Sequence, residues 1–262
     1  MTVFKPAVLE RAYSTPDVVE QRARIRAKLV ARFGEHGLDV GCGPGFLVCE
    51  LAGAVGPPGR AVGVDVSAEM VAAATERARR SALAERTEFA QGDATELCFS
   101  TRSFDFVTAI QVYEYVADVP RALAEAHRVL KPGGRLVVMD SDWDSCVWFV
   151  DDRERAGRVL KAWEAHFVHP HLPAELPGLL ARAGFALVST SVVPLLNLHL
   201  EENTYSHGMI DVVARFVSRK AGISGEVAQA WVDDVRSQEA KGHYFFSLSR
   251  FLFLAERSGT RG

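Results

Sequence analysis

Residues Leu38 to Gly45 read LDVGCGPG. An apolar run ends in Asp39, glycines follow at alternate positions as Gly41, Gly43 and Gly45, and a segment of helical character begins at Phe46. The order is strand, tight turn and helix N-terminus. Glycine serves where the backbone takes positive φ or where a ligand must approach without a Cβ in the way. This spacing marks the mouth of a ligand site.

Asp65 lies twenty residues beyond Gly45, near the C-terminal end of the buried-strand pattern AVGVDV over 61–66. In mononucleotide-binding βαβ units, a carboxylate at that strand end accepts hydrogen bonds from the ribose hydroxyls of an adenosine. Between the two strands, Phe46 to Val55 has helical spacing and Gly56-Pro57-Pro58-Gly59 ends it. Ser67 caps a helix running to about Leu83, with Met70, Val71 and Ala74 toward the sheet. A third strand over 87–91 ends in Gly92-Asp93-Ala94, and a fourth over 104–110 runs into Gln111-Val112-Tyr113-Glu114-Tyr115. Asp118 and Pro120 open a helix stopped by Lys131-Pro132-Gly133-Gly134, and the fifth strand spans 135–139. Strands alternating with helices, joined by right-handed crossovers, predict a parallel sheet covered on both faces.

Upstream, the spacing predicts an N-terminal helix over 12–33, with Thr15 as cap, Pro16 as first residue and Arg22, Arg24, Arg26 and Arg32 on a solvated face. Downstream the pattern changes. Helices are expected over 150–167 and 174–183, a strand over 185–193, two helical stripes through Tyr205–Phe216 and Val227–Val235, and a last strand from Tyr244 to Glu256. The insertion between the last two strands has the size of a lid.

The chain has 262 residues, 48% hydrophobic and 24% charged, enough to bury a full core in one domain. A net charge of −3 argues against a nucleic-acid backbone as partner. Cys42, Cys49, Cys98 and Cys146 form no CxxC pair and read as free thiols of a reducing compartment. With no signal-peptide pattern and no apolar run of membrane-spanning length, the expected location is cytoplasmic.

Together these residues resemble the class I S-adenosylmethionine-dependent methyltransferases, in particular the small-molecule branch that includes the ubiquinone/menaquinone-biosynthesis enzymes. LDVGCGPG fits the family's first motif, VGVDVS its second, GDA its third and HRVLKPGGRL the approach to its fifth strand. The resemblance runs from about Tyr13 to Met139, and YFFSLSRFLFLAE fits the terminal strand. It implies a doubly wound, mostly parallel seven-stranded α/β sheet of Rossmann-like type, with an antiparallel last strand inserted beside the sixth. The expected organisation is one domain over 1–262, with a cofactor core over 34–140 and substrate-cap helices over 145–183 and 195–243.

The resemblance also assigns the cofactor, S-adenosyl-L-methionine, with S-adenosyl-L-homocysteine as product. Gly41, Cys42, Gly43 and Gly45 fall to its methionine side, with Asp39 toward the ammonium. Asp65 and Val66 fall to the ribose, Met70 to the adenine face, and Gly92, Asp93 and Ala94 to the adenine edge. Gln111 lines the methionine moiety and Tyr13 closes the site. Two departures stand out: Tyr115 occupies a place where the family often has His, and Gly37 replaces a β-branched type in the first strand.

Methyl transfer from a sulfonium is an in-line displacement needing alignment, exclusion of water and, where the nucleophile carries a proton, a base. His166, His169 and Asp142 are the candidate catalytic groups, since imidazole titrates near neutral pH. Tyr113, Trp143, His171, Asn197 and Tyr205 are candidate substrate contacts. Trp143, Trp148, Phe149 and Phe167 suggest an apolar or aromatic small-molecule acceptor. Asp140, Asp142 and Asp144 alternate as cation ligands can, but read better as a cap and a solvated surface, so no metal is expected. A homodimer is compatible with the pattern. The alternative function is a fold relative that retains the cofactor and binds or reshapes its ligand without methyl transfer. A dehydrogenase fits poorly, because the loop is GxGxG rather than GxGxxG. RNA or protein methylation is disfavoured by the acidic balance.

Overall fold

The computed structural model describes residues 5–258. Residues 1–4 and 259–262 of the expected 1–262 domain lie outside the described residues. The chain opens with α1 (Pro6–Tyr13) and α2 (Pro16–Leu29), then β1 (His36–Val40), α3 (Phe46–Val55), β2 (Arg60–Asp65), α4 (Ala68–Arg80), β3 (Thr87–Gln91) and β4 (Phe104–Ile110). It continues through α5 (Val119–Val129), β5 (Leu130–Ser141), β6 (Val147–Trp148), α6 (Arg153–Trp163), α7 (Leu176–Arg182) and β7 (Phe185–Asn197). The final elements are α8 (Tyr205–Lys220), α9 (Gly225–Ala240) and β8 (Phe246–Arg257).

The sheet runs β3-β2-β1-β4-β5-β8-β6, with β7 also on β8. β1 to β5 pair in parallel, and β8 runs antiparallel to both β5 and β7. This is the expected mixed Rossmann-like sheet, with the short β6 as an addition. The chain winds outward in opposite directions from β1 and β4, so a crevice opens beyond their C-terminal ends, where such sheets bind ligands.

Local chemistry accounts for most boundaries. Ser67 accepts from the Met70 amide at 3.3 Å to start α4, and Asp118 accepts from Arg121 at 2.9 Å to start α5. The helix expected within 12–33 begins at Pro16 as read and ends at Leu29, as α2, while the separate α1 (Pro6–Tyr13) ahead of it was not expected. Thr15 does not cap α2 with its side chain, because its hydroxyl donates back to the Ala12 carbonyl at 2.7 Å. Arg22 leaves the expected solvated face: it is buried and pairs with Glu50 of α3 at 2.9 Å.

Gly37 has a structural reason. A Cβ there would lie 2.0 Å from two ring carbons of Phe106 on the neighbouring β4, so the aromatic ring fills the space a β-branched residue would occupy.

Three apolar clusters follow from the layering. One packs α5 and α7 on one sheet face, a second packs α2 and α3 on the other, and a third joins α6, α8 and α9 over the end of β8. Leu176, Leu179 and Leu180 of α7 belong to the first cluster, so the later part of the 145–183 segment supports the sheet instead of joining the cap. No described helix is long and apolar enough to cross a membrane.

Candidate functional site

Gly41, Gly43 and Gly45 all take positive φ, at 67°, 50° and 78°. Only glycine adopts this at no steric cost, and the loop is pinned by its own amides, Cys42 N–H donating to the Val64 carbonyl at 2.9 Å and Gly45 N–H to the Cys42 carbonyl at 3.1 Å. Gly45 is also a packing requirement, since a Cβ there would sit 2.7 Å from the Ala74 Cβ of α4. At Gly43 the nearest atom to an added Cβ is Cε2 of Tyr13, at 3.7 Å, so the α1 tyrosine stands beside the loop. Arg77 fixes that arrangement: it donates to the Pro44 carbonyl at 2.8 Å and to Glu10 of α1 at 2.7 Å.

Asp65, at the end of β2, accepts from the Gly43 amide at 2.9 Å through one oxygen and from the Ser67 amide at 2.9 Å through the other. The carboxylate therefore joins the glycine loop to the start of α4. Asp39 is buried beneath the loop and accepts from the Thr108 hydroxyl at 2.6 Å. Burial pushes its carboxyl up to about 7, the nearby Asp65 adds to that, and the Thr108 bond works against it. A buried acid in this state is stabilised as an anion by any cation placed beside it.

Of the remaining residues expected on this edge, Met70 is buried and Val66 exposed. Gly92, Asp93 and Ala94 follow β3, where Asp93 is exposed and accepts from both the amide and the hydroxyl of Thr95 at 2.7 Å. Those bonds hold its carboxyl below the usual range. Cys42 turns its thiol into the sheet, 2.8 Å from where a Cβ on Gly63 would lie, so only its backbone stays on the loop. Gln111 follows β4 at a φ of 57°.

The second group of expected residues does not converge. Tyr113 is fully buried in the α5–α7 cluster, while Trp143 and Tyr205 belong to the cap cluster. The turn after β4 sends Tyr113 and Tyr115 into different clusters, so Tyr113 lies apart from Trp143 and Tyr205. Asn197 is structural: its amide donates to Asp17 of α2 at 3.1 Å and its oxygen accepts from the Ser206 amide at 3.2 Å. Asp17 also accepts from the Tyr205 amide at 2.9 Å, so it ties the start of α2 to the start of α8.

The three histidines are dispersed as well. His166 stacks on Trp163 at 4.5 Å and meets Tyr115 and Phe216 edge-on, and burial lowers its pKa to about 4. His169 donates its backbone amide to the Glu114 carbonyl at 3.0 Å. His171 lies 3.2 Å from Asp142, 3.5 Å from Asp144 and 3.4 Å from Glu164. Burial alone would lower its pKa, but the Asp142 bond and the charges of Asp144 and Glu164 raise it. Asp142, Asp144 and His171 bring ligand-type atoms within 4.8 Å of one another. Asp140 is not with them: it is buried and accepts from the Val112 amide at 3.0 Å.

Several polar residues escaped the reading of the sequence. Thr108 is the partner of Asp39, Glu114 accepts from the Trp143 indole at 3.0 Å, and Arg250 is buried on β8 beside Ser141. Arg250 left a signal, because it interrupts the inward-facing positions of an otherwise apolar alternating strand.

A family model described as a methyltransferase domain matches residues 38–138, the segment from β1 almost to the end of β5. A demethylmenaquinone methyltransferase of Symbiobacterium thermophilum is 33% identical over 59% of this chain and 69% of its own length. An uncharacterized 37.1 kDa protein of transposon TN4556 from Streptomyces fradiae is 36% identical over 97% of this chain and 73% of that protein. Among solved structures, a putative methyltransferase from Bacillus halodurans superposes with a TM-score of 0.67, covering 92% of this chain and all of that one. At 19% identity that likeness is one of fold. The chain belongs to the class I S-adenosylmethionine-dependent methyltransferases.

Proposed function

We propose that the chain transfers the methyl group of S-adenosylmethionine to a small, apolar or aromatic acceptor. The observation that carries the reading is the left-handed glycine loop held against Asp65, with buried Asp39 beneath it, beyond the ends of β1 and β2. The donor set fits the cofactor: a carboxylate beside paired backbone amides suits ribose hydroxyls, and a buried carboxyl at about 7 suits an ammonium group. When bound, the cofactor supplies an electrophilic sulfonium methyl group.

In this reading the chain's own residues bind, orient and exclude water. Asp65 and the Gly43 loop hold the adenosyl end, Met70 packs beside the adenine and Asp93 faces its amino group. Asp39 and Gln111 take the amino-acid end, and Tyr13 covers the loop. Alignment of the displacement is the main catalytic contribution, because the sulfonium is already an activated leaving group. The histidines do not converge on one point, and the reading routes no proton through them.

The acceptor class is supported by the aromatic cap. Trp143 stacks on Phe167 with ring centres 4.5 Å apart, and Tyr115 packs against Phe167 at 5.3 Å. The cap is thus rich in aromatic side chains, the residue type that small-molecule sites favour. Methyl-labelled S-adenosylmethionine supplied with a small-molecule extract is expected to place label in a low-mass product. Cofactor bound without S-adenosylhomocysteine or any labelled product would overturn the transfer reading and favour a ligand-binding relative.

A further inference from the structure

Arg250 sits on β8 opposite Ser141 of β5, at the same sheet edge as the glycine loop. It is 4% exposed, and the buried carboxyls of Glu114 and Asp140 lie near enough for its charge to favour their ionised forms. A buried cation is costly to desolvate, so each of its N–H groups that finds a partner matters to the local structure. Its Nε donates to the Ser141 hydroxyl at 3.3 Å, its Nη1 donates to the side-chain oxygen of Gln21 on α2, and its guanidinium lies 4.8 Å above the Tyr205 ring.

The chain of bonds has a fixed polarity. Arginine can only donate, so Ser141 must accept from it. The serine's single proton then goes to Gln111, whose Oε1 accepts at 2.7 Å. The Ser141 bond fixes which end of the Gln111 amide carries the oxygen, and on the other end one Nε2 hydrogen reaches the Met139 carbonyl at 3.4 Å, leaving the second to donate. The backbone is held as firmly, since the Gln111 amide donates to the same carbonyl at 2.6 Å while the residue stays at positive φ. A non-glycine residue in that conformation persists only where its surroundings over-determine it.

We propose that Arg250 and Ser141 are positioning residues that set the Gln111 amide as a hydrogen-bond donor for the carboxylate of the cofactor's amino-acid end. The assignment rests on the methyltransferase reading and divides the work at that end. Asp39 takes the ammonium and Gln111 the carboxylate. Because Gln21 completes the chain, α2 contributes to the same subsite from the opposite side.

The test compares two ligands by calorimetry: S-adenosylhomocysteine, which has the amino-acid end, and 5′-methylthioadenosine, which lacks it. Ser141→Ala and Arg250→Met are expected to weaken S-adenosylhomocysteine about 10-fold, or about 1.4 kcal/mol, with 5′-methylthioadenosine changed less than about twofold. Gln111→Glu keeps an oxygen for Ser141 but replaces the donor by a second acceptor, and should weaken S-adenosylhomocysteine further with the same selectivity. Equal losses for both ligands would make Ser141 and Arg250 merely structural and overturn the proposal, as would unchanged affinity for S-adenosylhomocysteine in all three variants. Should Arg250→Met fail to fold, as read by its thermal melt, Ser141→Ala and Gln111→Glu decide the matter. Wild-type protein that binds neither ligand would remove the methyltransferase reading itself, and this proposal with it.

Discussion

The edge beyond β1 and β2 and the helical cap are built by different means. At the edge, backbone geometry does the holding: glycines at positive φ, helix caps, and the Asp65 carboxylate shared between two amides. In the cap, rings hold rings, with Trp163 packed against Trp143, His166, Phe167 and Phe216, and Trp148 against Trp231. Backbone geometry admits few residue types at few positions. Aromatic packing tolerates exchange as long as volume is conserved, so the cap can vary in sequence while the edge stays as it is.

The comparison can be broken first at Trp163, which is 2% exposed. Trp163→Ala is expected to cost about 4 kcal/mol of stability, measured by denaturant unfolding, because it opens a cavity among the rings. Asp65→Ala should act on the other region and lower cofactor affinity about 100-fold by calorimetry. It would remove the proposed ribose contact and leave the Gly43 and Ser67 amides without a carboxylate. If Trp163→Ala abolished cofactor binding in conditions where it remained folded, the two regions would not be separable.

A finer effect concerns Asp39. Its folded pKa of about 7 lies above the ordinary 3.8, so the folded protein binds the extra proton. The associated stability is fully present below the unfolded value and is lost as pH rises to the folded one, across roughly pH 4 to 7. Asp39→Asn removes that loss and should raise Tm by about 5 °C at pH 8 and by less at pH 5, while weakening the cofactor. Scanning calorimetry at the two values checks the sign. The smallest effect is expected at His171, which is 36% exposed along its side chain. His171→Ala should change stability by less than about 0.5 kcal/mol and kcat by less than about threefold, in keeping with a screened surface pair.

The same contrast explains what was legible in the sequence. The glycine loop, the Ser67 and Asp118 caps and Asp65 each depend on residues close in the chain, and local chemistry allows few alternatives. The start of α2 at Pro16 was legible too, but the side-chain cap expected from Thr15 was not formed because its hydroxyl had a competing partner in the Ala12 carbonyl. In the cap, the outcome turned on long-range choices. Whether Tyr113 or Tyr115 faced the cap depended on one turn, and Arg250 meets Gln21 from 229 positions away. No local pattern encodes such a meeting, although a charge at an inward strand position shows that some partner must exist.

The fit of Phe106 against Gly37 places an order on how this sheet can drift. With the ring carbons 2.0 Å from any Cβ at position 37, a larger residue there is excluded while the phenylalanine remains. The reverse order is open: Phe106 can shrink first, at the cost of a cavity, and a β-branched residue at 37 can then refill it. Relatives with a β-branched residue at this point of the first strand should therefore carry a smaller side chain opposite it, and the two positions should change as a pair.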